Sequence, residues 1–429
     1  MFGFRRDLKG HWVQLRIHRG TREIGGTCVE LESSGQRILL DLGLPLNATD
    51  LASTPLPDVD GLAEGKPSLL AIVLSHGHRD HWGLVPKVSR QIPVVMGKAT
   101  ESIMRAAADF VPDAIALNAA QYLEHGKRIQ LGPFAILPHL VDHSGFDAYA
   151  VEVEANGKRL FYSGDLRAHG RKGKLFEALV NTPPRNVDTM LMEGSSLGRL
   201  ADDQAFLTEQ ALEERFIDRF RSTEGMALVA CSAQNIDRVV TVYRAAKQAG
   251  RTLIVDAYAA EVLKATGHDS IPKPAPGWSN LAVYIPQSQR VQLLKKNIAP
   301  LVDSYRGFRL WPEQLAQQAS RSVMLFRGWM MRDLDRAKAL QGARVFWSQW
   351  DGYLGAGGSG EALKADCDSR GIPFETIHTS GHASPGDLKR LASAIVPKRL
   401  IPIHTFQRER FPDLFDNVVL VDDGKWINV

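Results

Sequence analysis

The heptapeptide Ser75-His76-Gly77-His78-Arg79-Asp80-His81 constrains this chain more than any other stretch. Three imidazoles and a carboxylate follow directly on the apolar run Leu69-Leu70-Ala71-Ile72-Val73-Leu74. A run of that length predicts one buried strand. His76 and His78 are two apart and share a direction in extended chain, and Gly77 between them permits a turn without bulk. Asp80 and His81 form a second, adjacent group. Imidazole with carboxylate suits Zn²⁺ or another divalent cation, and four such groups at this spacing suffice for two cations in one pocket. The competing reading, a polar turn with surface histidines, leaves the dense HxHxDH spacing behind a buried strand unexplained.

Further ligand-type residues also stand at the ends of apolar runs. Phe134-Ala135-Ile136-Leu137 leads into Pro138-His139-Leu140-Val141-Asp142-His143-Ser144, where a strand-end histidine suits a third ligand. Arg159-Leu160-Phe161-Tyr162 leads into Ser163-Gly164-Asp165. One carboxylate can bridge two cations roughly 3.5–4 Å apart, and Asp165 is the expected bridge. The run from Val187 ends in Glu193-Gly194-Ser195-Ser196, and Asp41 closes the strand that begins at Arg37. Late in the chain come Ser380-Gly381-His382-Ala383-Ser384-Pro385 and the run Arg399-Leu400-Ile401-Pro402-Ile403-His404. Ser384 is placed as an N-cap with Pro385 at the first helical position, and such a helix start suits an anion.

A length of 429 residues predicts two or three domains. Residues 12–43 read as a strand meander from Trp12, 44–66 as a Pro-, Asp- and Gly-rich loop, and a helix is expected from about Trp82. Between about 205 and 370, strands at Met226–Cys231, Arg251–Asp256, Ser322–Phe326 and Ala343–Trp347 alternate with helical stretches, which predicts a parallel sheet. Trp347, Trp350 and Tyr353 flank the glycine-rich stretch 352–360. They read as core packing in preference to base stacking. His169 and Arg171 read as solvated loop residues. A net charge of +4 with a pI near 8.9 allows a polyanionic partner without demanding one. Cys28, Cys231 and Cys367 form no CxxC pair, which fits a reducing compartment. No apolar run reaches the length of a membrane span. The start Met1-Phe2-Gly3-Phe4-Arg5-Arg6 lacks a signal-peptide core. A cytoplasmic protein without a membrane partner is expected.

The HxHxDH stretch resembles the signature of metallo-β-lactamase fold hydrolases. The later motifs sharpen this: Glu193 after the bridging aspartate, an inserted α/β segment, Ser-Gly-His-x-Ser at 380–384 and the strand-ending Pro-Ile-His at 402–404. Together they are similar to the β-CASP branch, which includes ribonuclease J, RNA 3′-end processing endonucleases and DNA cross-link repair nucleases. The match runs from Gly25-Gly26 to His404. It implies an αββα metallo-β-lactamase sandwich formed by residues 1–204 and 373–429, with an inserted α/β domain of mostly parallel strands over 205–372.

The resemblance also implies a site. His76, His78 and His143 (which fits the family motif better than His139) would hold one metal. Asp80, His81 and His404 would hold the other, with Asp165 between them and Asp41 orienting the loop. Two Zn²⁺ are expected, with Mn²⁺ as the alternative. The implied reaction is phosphodiester hydrolysis by a metal-activated hydroxide, leaving a 5′ phosphate and a 3′ hydroxyl. Asp80, Glu193 and His382 are the catalytic candidates, His382 as a general acid oriented by Glu193. The implied partner is nucleic acid, single-stranded RNA ahead of DNA, with exonucleolytic and endonucleolytic attack both open. Candidate substrate contacts are Ser232, Asn235, Arg238, Arg327, Arg332, Ser380, Gly381 and Ser384.

Two departures stand out. The chain stops about 25 residues after His404, without the C-terminal domain that supports the ribonuclease J dimer, so a homodimer stays open. Phe326-Arg327-Gly328-Trp329-Met330-Met331 stands where relatives carry a small glycine-rich loop. A class B β-lactamase is disfavoured by length and by the lack of a signal peptide. The competing function is a dinuclear metallohydrolase of a small phosphorylated or ester substrate, which has no use for the inserted segment.

Overall fold

The computed structural model describes residues 13–48, 50–111 and 114–429. Trp12, the expected start of the meander, and the segment Met1–Arg6 read for a signal peptide lie outside the described residues.

Alternation along Val13–Arg19 buries Val13, Leu15 and Ile17 on one face. This strand pairs antiparallel with Cys28–Ser33, which turns back through Ser34 and Gly35 into Gln36–Leu40. Both turn residues have positive φ, 55° and 75°, the geometry a two-residue hairpin requires. The sheet then runs parallel through Leu69–Val73, Val94–Gly97 and Gln121–Leu123, and Trp426–Asn428 closes its other edge. A second sheet has the order Arg399–Ile403, Thr189–Glu193, Lys158–Tyr162, Tyr149–Ala155, Phe134–Leu140, Ile129–Leu131. Its inner face supplies Ile136, Val151, Val153, Leu160 and Ile401 to a core shared with Leu15, Ile17, Val29 and Leu31 of the first sheet. Trp82, Leu84 and Met104 cover the outer face of the first sheet; Phe176, Leu179, Leu388 and Leu391 cover that of the second. The result is the expected αββα sandwich.

Between its two parts the chain builds a wholly parallel third sheet. Its order is Leu281–Val283, Thr252–Val255, Ser322–Phe326, Ala227–Ala230, Arg344–Trp347, Phe374–Thr376. The helices Glu209–Ser222, Ile236–Gln248 and Ala257–Ala265 pack on one face. Leu315, Met330, Leu334 and Leu363 pack on the other. The two outer strands were absent from the sequence reading: each has three residues, too few for a periodic pattern. Phe374–Thr376 also lies beyond the expected boundary at 372. The helix expected from Trp82 is instead a single turn, Arg79–Trp82, stopped by Gly83. Trp82 Nε1 donates to the Gly77 carbonyl at 2.9 Å, which folds this turn against the histidine loop.

Buried ion pairs hold the third sheet's domain together and join it to the sandwich. Arg238, expected to meet substrate, is 0 % exposed. Its guanidinium donates to Glu209 at 2.9 and 3.2 Å and to the Ser348 carbonyl at 3.2 Å. Burial pushes the Glu209 carboxyl up, but Arg238 outweighs it and holds the group at about 2. Arg167, from the sandwich, is equally buried. It donates to Asp142 at 3.3 Å, to the Ser380 carbonyl at 3.1 Å and across the interface to Asp237. Arg171 pairs with Glu213 and Thr241, and His169 is 7 % exposed. Neither is the solvated loop residue expected, because both lie under the inserted domain.

Removing one partner strands the other charge in a dry interior. Arg238→Met should therefore lower the unfolding free energy by about 3–5 kcal/mol, read as a shift in urea midpoint. The double variant Arg238→Met/Glu209→Met should recover most of that loss. Equal midpoints for the single and double variants would contradict the assignment.

Candidate metal centre

The ligand-type residues come together because their strands end at one edge of the sandwich. Thr189–Glu193 runs parallel to both Lys158–Tyr162 and Arg399–Ile403, so Asp165, Glu193 and His404 emerge side by side. Leu69–Val73 delivers His76 and His78, and the turn after it delivers Asp80 and His81. Ligand atoms of His76, His78 and His143 lie within 4.8 Å of one another, and so do those of Asp80, His81, Asp165 and His404. Asp165 Oδ2 stands between the groups, 3.7 Å from His76 Nε2, 3.1 Å from His81 Nε2 and 3.7 Å from His404 Nε2. His139 belongs to neither group; it faces Glu152 at 3.7 Å.

Four of the five imidazoles are turned by a bond on the other nitrogen. His81 Nδ1 donates to Asp41 Oδ2 at 2.7 Å. The Ser75 hydroxyl also donates to Asp41, at 2.7 Å, and so is free to accept from His76 Nδ1 at 3.0 Å. His143 Nδ1 donates to the Gly381 carbonyl at 2.6 Å, and His404 Nδ1 meets the Thr27 hydroxyl at 2.9 Å. For His76, His81 and His143 these bonds suit the tautomer that leaves the Nε2 lone pair facing inward, whereas His404 Nδ1 also accepts the Gly25 amide at 3.3 Å. His76 Nε2, His81 Nε2, His404 Nε2 and Asp165 Oδ1 are buried without a hydrogen-bond partner. A cluster of buried, unpaired donors of this kind is costly unless a cation fills it. Nitrogen and carboxylate donors together fit a divalent cation of borderline softness. Asp41 and His404 both adopt positive φ, 60° and 53°, which is rare for non-glycine residues and concentrates at functional sites. Gly43 is required as glycine, since a Cβ there would lie 1.6 Å from the Asp80 carbonyl oxygen.

The electrostatics favour a cation. Burial, reinforced by neighbouring imidazoles, holds His76 and His143 well below the usual imidazole range, and it lowers His78 and His404 as well. Burial opposes charge on Asp165, but His404, His81 and His382 outweigh it and keep the carboxylate ionised well below its ordinary range. On His81 burial is outweighed by Asp165, Asp41 and Asp80, which raise it well above normal.

A third cluster joins Asp165 to Glu193 and His382. His382 Nδ1 lies 2.9 Å from Glu193 Oε2 and 3.9 Å from Asp165 Oδ2. Glu193 is 1 % exposed and accepts the Leu166 amide at 3.0 Å and the Ser195 amide at 3.3 Å. Burial works against a charged His382, yet Glu193 and Asp165 outweigh it and lift the group to about 9.

The candidate substrate contacts divide. The Ser380 hydroxyl accepts the His382 amide at 3.0 Å, and its carbonyl receives both Arg167 and His169. The Gly381 carbonyl is committed to His143. Ser384 caps Pro385–Ile395 as expected, and Asn235 caps Ile236–Gln248. Ser232 and Arg327 line a cavity of about 600 Å³ at the carboxyl ends of the third sheet's strands, with Tyr258 and Trp329; Arg332 is exposed. Arg238 is buried inside the inserted domain, paired with Glu209. Trp347 is buried, but Trp350 and Tyr353, expected in the core, are 47 % and 44 % exposed. Sequence reasoning missed Thr27, Ser75, Tyr162 and Arg167, whose residue types carry no ligand signal.

Comparison with known proteins agrees with this geometry. Residues 36–215 match the family model of the β-lactamase superfamily domain. The chain is 24 % identical over 414 residues to Ribonuclease J of Mycobacterium tuberculosis, covering 90 % of this chain and 67 % of that protein. It is 22 % identical over 406 residues to Ribonuclease J of Mycoplasma pneumoniae, covering 90 % and 66 %. It thus spans about two thirds of these relatives' length. The crystal structure of a protein of unknown function from Enterococcus faecalis shares the fold, with a TM-score of 0.77 at 20 % identity over 97 % of this chain and 100 % of that one. The fold is that of a metallo-β-lactamase sandwich with an inserted α/β domain, and the chain is similar to Ribonuclease J across nine tenths of its length. Among the described residues, no helix is long and apolar enough to cross a membrane.

Asp41→Asn should reduce metal affinity about 10- to 100-fold, measured by chelator competition, with the fold retained by circular dichroism; unchanged affinity would remove Asp41 from the site. His169 yields a pH prediction. Burial, then Arg167, lowers this imidazole from 6.5 to about 4. The unfolded chain therefore binds the extra proton between those values, and His169's contribution to stability is complete above 6.5 and falls as pH drops towards 4. His169→Gln should lose less stability than the unaltered protein between pH 8 and pH 5, by about 2 kcal/mol. Parallel pH profiles in thermal melts would contradict this.

Proposed function

We propose that this chain is a metal-dependent nuclease that hydrolyses RNA phosphodiesters at a centre of two cations, Zn²⁺ or Mn²⁺. The observation that carries the reading is the convergence of unpaired Nε2 atoms from His76, His81 and His404 with the unpaired Oδ1 of Asp165, beside a buried Glu193–His382 pair. Similarity to Ribonuclease J supports RNA as the substrate class. Two cations bridged by one carboxylate bring a water's pKa towards neutrality and stabilise charge on a phosphoryl group.

The protein's own groups complete the reaction. His76, His78 and His143 would hold one cation and Asp80, His81 and His404 the other, with Asp165 placed between the two groups. Glu193 accepts from His382 Nδ1, which fixes the ring and favours its protonated form. His382 then offers the Nε2 proton to the departing 3′ oxygen, and the products are a 5′ phosphate and a 3′ hydroxyl. Asp80, committed as a ligand, aligns the attack and is a weak free base. Ser380 holds the His382 amide and the Gly381 carbonyl holds His143, so the loop that carries the acid also orients that candidate ligand. The strand approaches between the sandwich and the inserted domain, where phosphate contacts position without reading sequence.

End-labelled single-stranded RNA and DNA, each with a 5′ phosphate or a 5′ hydroxyl, should be tested with Zn²⁺ and with Mn²⁺. RNA cleavage leaving 5′ phosphates is expected. His382→Ala should keep its metal content and lose about 10²- to 10⁴-fold in rate. Survival of all four substrates would end the nuclease reading and leave a small phosphorylated or ester substrate. Loss of metal in His382→Ala would make that residue a ligand.

A further inference from the structure

Trp350 and Tyr353 lie in the inserted domain, on the turn that follows the buried strand Arg344–Trp347. Nearly half of each side chain meets solvent. Their rings meet edge to face with centroids 5.3 Å apart. Two large aromatics exposed side by side mark a contact surface more often than a packing accident. They are also held in place. Trp347 is 2 % exposed, and its Nε1 donates to the Trp350 carbonyl at 3.4 Å, which anchors the turn in the core.

Arg199 comes to this pair from the other domain. Its guanidinium carbon lies 4.8 Å from the Trp350 ring centroid. Arg199 closes the turn after Glu193, and that turn is fastened to the last ligand segment. The Ser195 hydroxyl donates to the His404 carbonyl at 3.2 Å, and the Thr405 hydroxyl donates to the Gly194 carbonyl at 2.9 Å. The aromatic pair thus touches a turn that is fastened to the candidate metal centre and ends six residues after Glu193. Burial pushes the Tyr353 phenol up, and the Asp80 carboxylate adds to that shift, consistent with this proximity.

We infer that Trp350 and Tyr353, with Arg199 against them, form a stacking platform for a base of the single-stranded nucleic acid entering the metal centre. The inference rests on the nuclease reading and specifies how the strand is held. A base has a flat π face whatever its identity, so aromatic stacking grips a strand without choosing its sequence. A guanidinium on the same platform adds a cation within reach of the neighbouring phosphate. A small substrate would touch the cations without reaching this turn.

The test compares Trp350→Ala, Trp350→Phe, Tyr353→Ala and Trp311→Ala with the unaltered protein. Trp311 is a matched control, 44 % exposed and stacked by Arg309 at 4.0 Å in another part of the insert. Affinity for a fluorescent single-stranded RNA decamer is read by anisotropy. Hydrolysis of bis(p-nitrophenyl) phosphate is read in parallel. Trp350→Ala and Tyr353→Ala should each weaken RNA binding about 5- to 150-fold and raise KM on RNA more than they lower kcat. Trp350→Phe should recover most of the affinity. Trp311→Ala should match the unaltered protein, and hydrolysis of the small diester should be unchanged throughout. RNA affinity unaltered in both alanine variants, in a protein that still cleaves RNA, overturns the platform and leaves the nuclease reading intact. An unaltered protein that neither binds nor cleaves RNA overturns both.

Discussion

A carboxylate shut away from water must find its hydrogen bonds in the protein, and Asp41 finds four. It accepts the Ser75 amide and hydroxyl at 2.7 Å each, His81 Nδ1 at 2.7 Å and the Tyr162 hydroxyl at 2.6 Å. These donors come from the end of Leu69–Val73, from the turn after it and from the second sheet. One anion thereby ties both sheets of the sandwich to the histidine loop. The bonds it makes set which nitrogen of His81 faces the centre and, through Ser75, which nitrogen of His76 does. Its own backbone is left-handed, φ 60°, a strained conformation that four charge-assisted bonds can sustain.

Much of this was legible in the chain, for a physical reason. Ligands must stand at the ends of buried strands, and buried strands are apolar runs. The histidine or acid after such a run is therefore visible before the strands are assembled. The candidates His76, His78, His81, His143, Asp165, Glu193 and His404 were all readable in this way, and the αββα sandwich was implied by the family resemblance of their motifs. What lay hidden is what depends on pairing across the fold. Arg238 looks like a surface cation in a strand-to-helix loop; only Glu209 and Ser348, distant in sequence, make it a buried one. His169 and Arg171 have the composition of a solvated loop and lie beneath a domain that arrives later. Trp350 and Tyr353 follow an apolar strand and read as core, yet the strand ends at Trp347 and the turn carries them outward. The edge strands Leu281–Val283 and Phe374–Thr376 are too short for any periodicity to register.

The interface between the two domains is unusual in its polarity. Arg167 and Arg171 face Asp237, Glu209 and Glu213 across it, and Asp142 and Arg238 back them from either side, with little access to water. Such a network is stable only when every member is present and poorly tolerant of partial loss. It also has a geometric effect on the metal centre. Arg167 holds Asp142, the neighbour of His143, and the Ser380 carbonyl, next to the carbonyl that orients His143. The inserted domain therefore braces the ligand loops from behind, at a distance from the substrate. A wedge of charge at this position resists sliding better than an apolar seam would, because hydrogen bonds have direction and side-chain packing has little.

The placement of the last strands bears on how the molecule is made. Arg399–Ile403 and Trp426–Asn428 take the outer edges of the second and first sheets. A segment synthesised late can join an edge without opening a sheet that has already formed. The sandwich can thus condense around its inner strands while the inserted domain is still emerging from the ribosome. His404, carried by one of those edge strands, reaches its neighbours only at the end. During synthesis the nascent chain holds the three imidazoles of the first group and lacks a ligand of the second. The order of the chain therefore leaves the second group incomplete until the strand Arg399–Ile403 has followed the inserted domain.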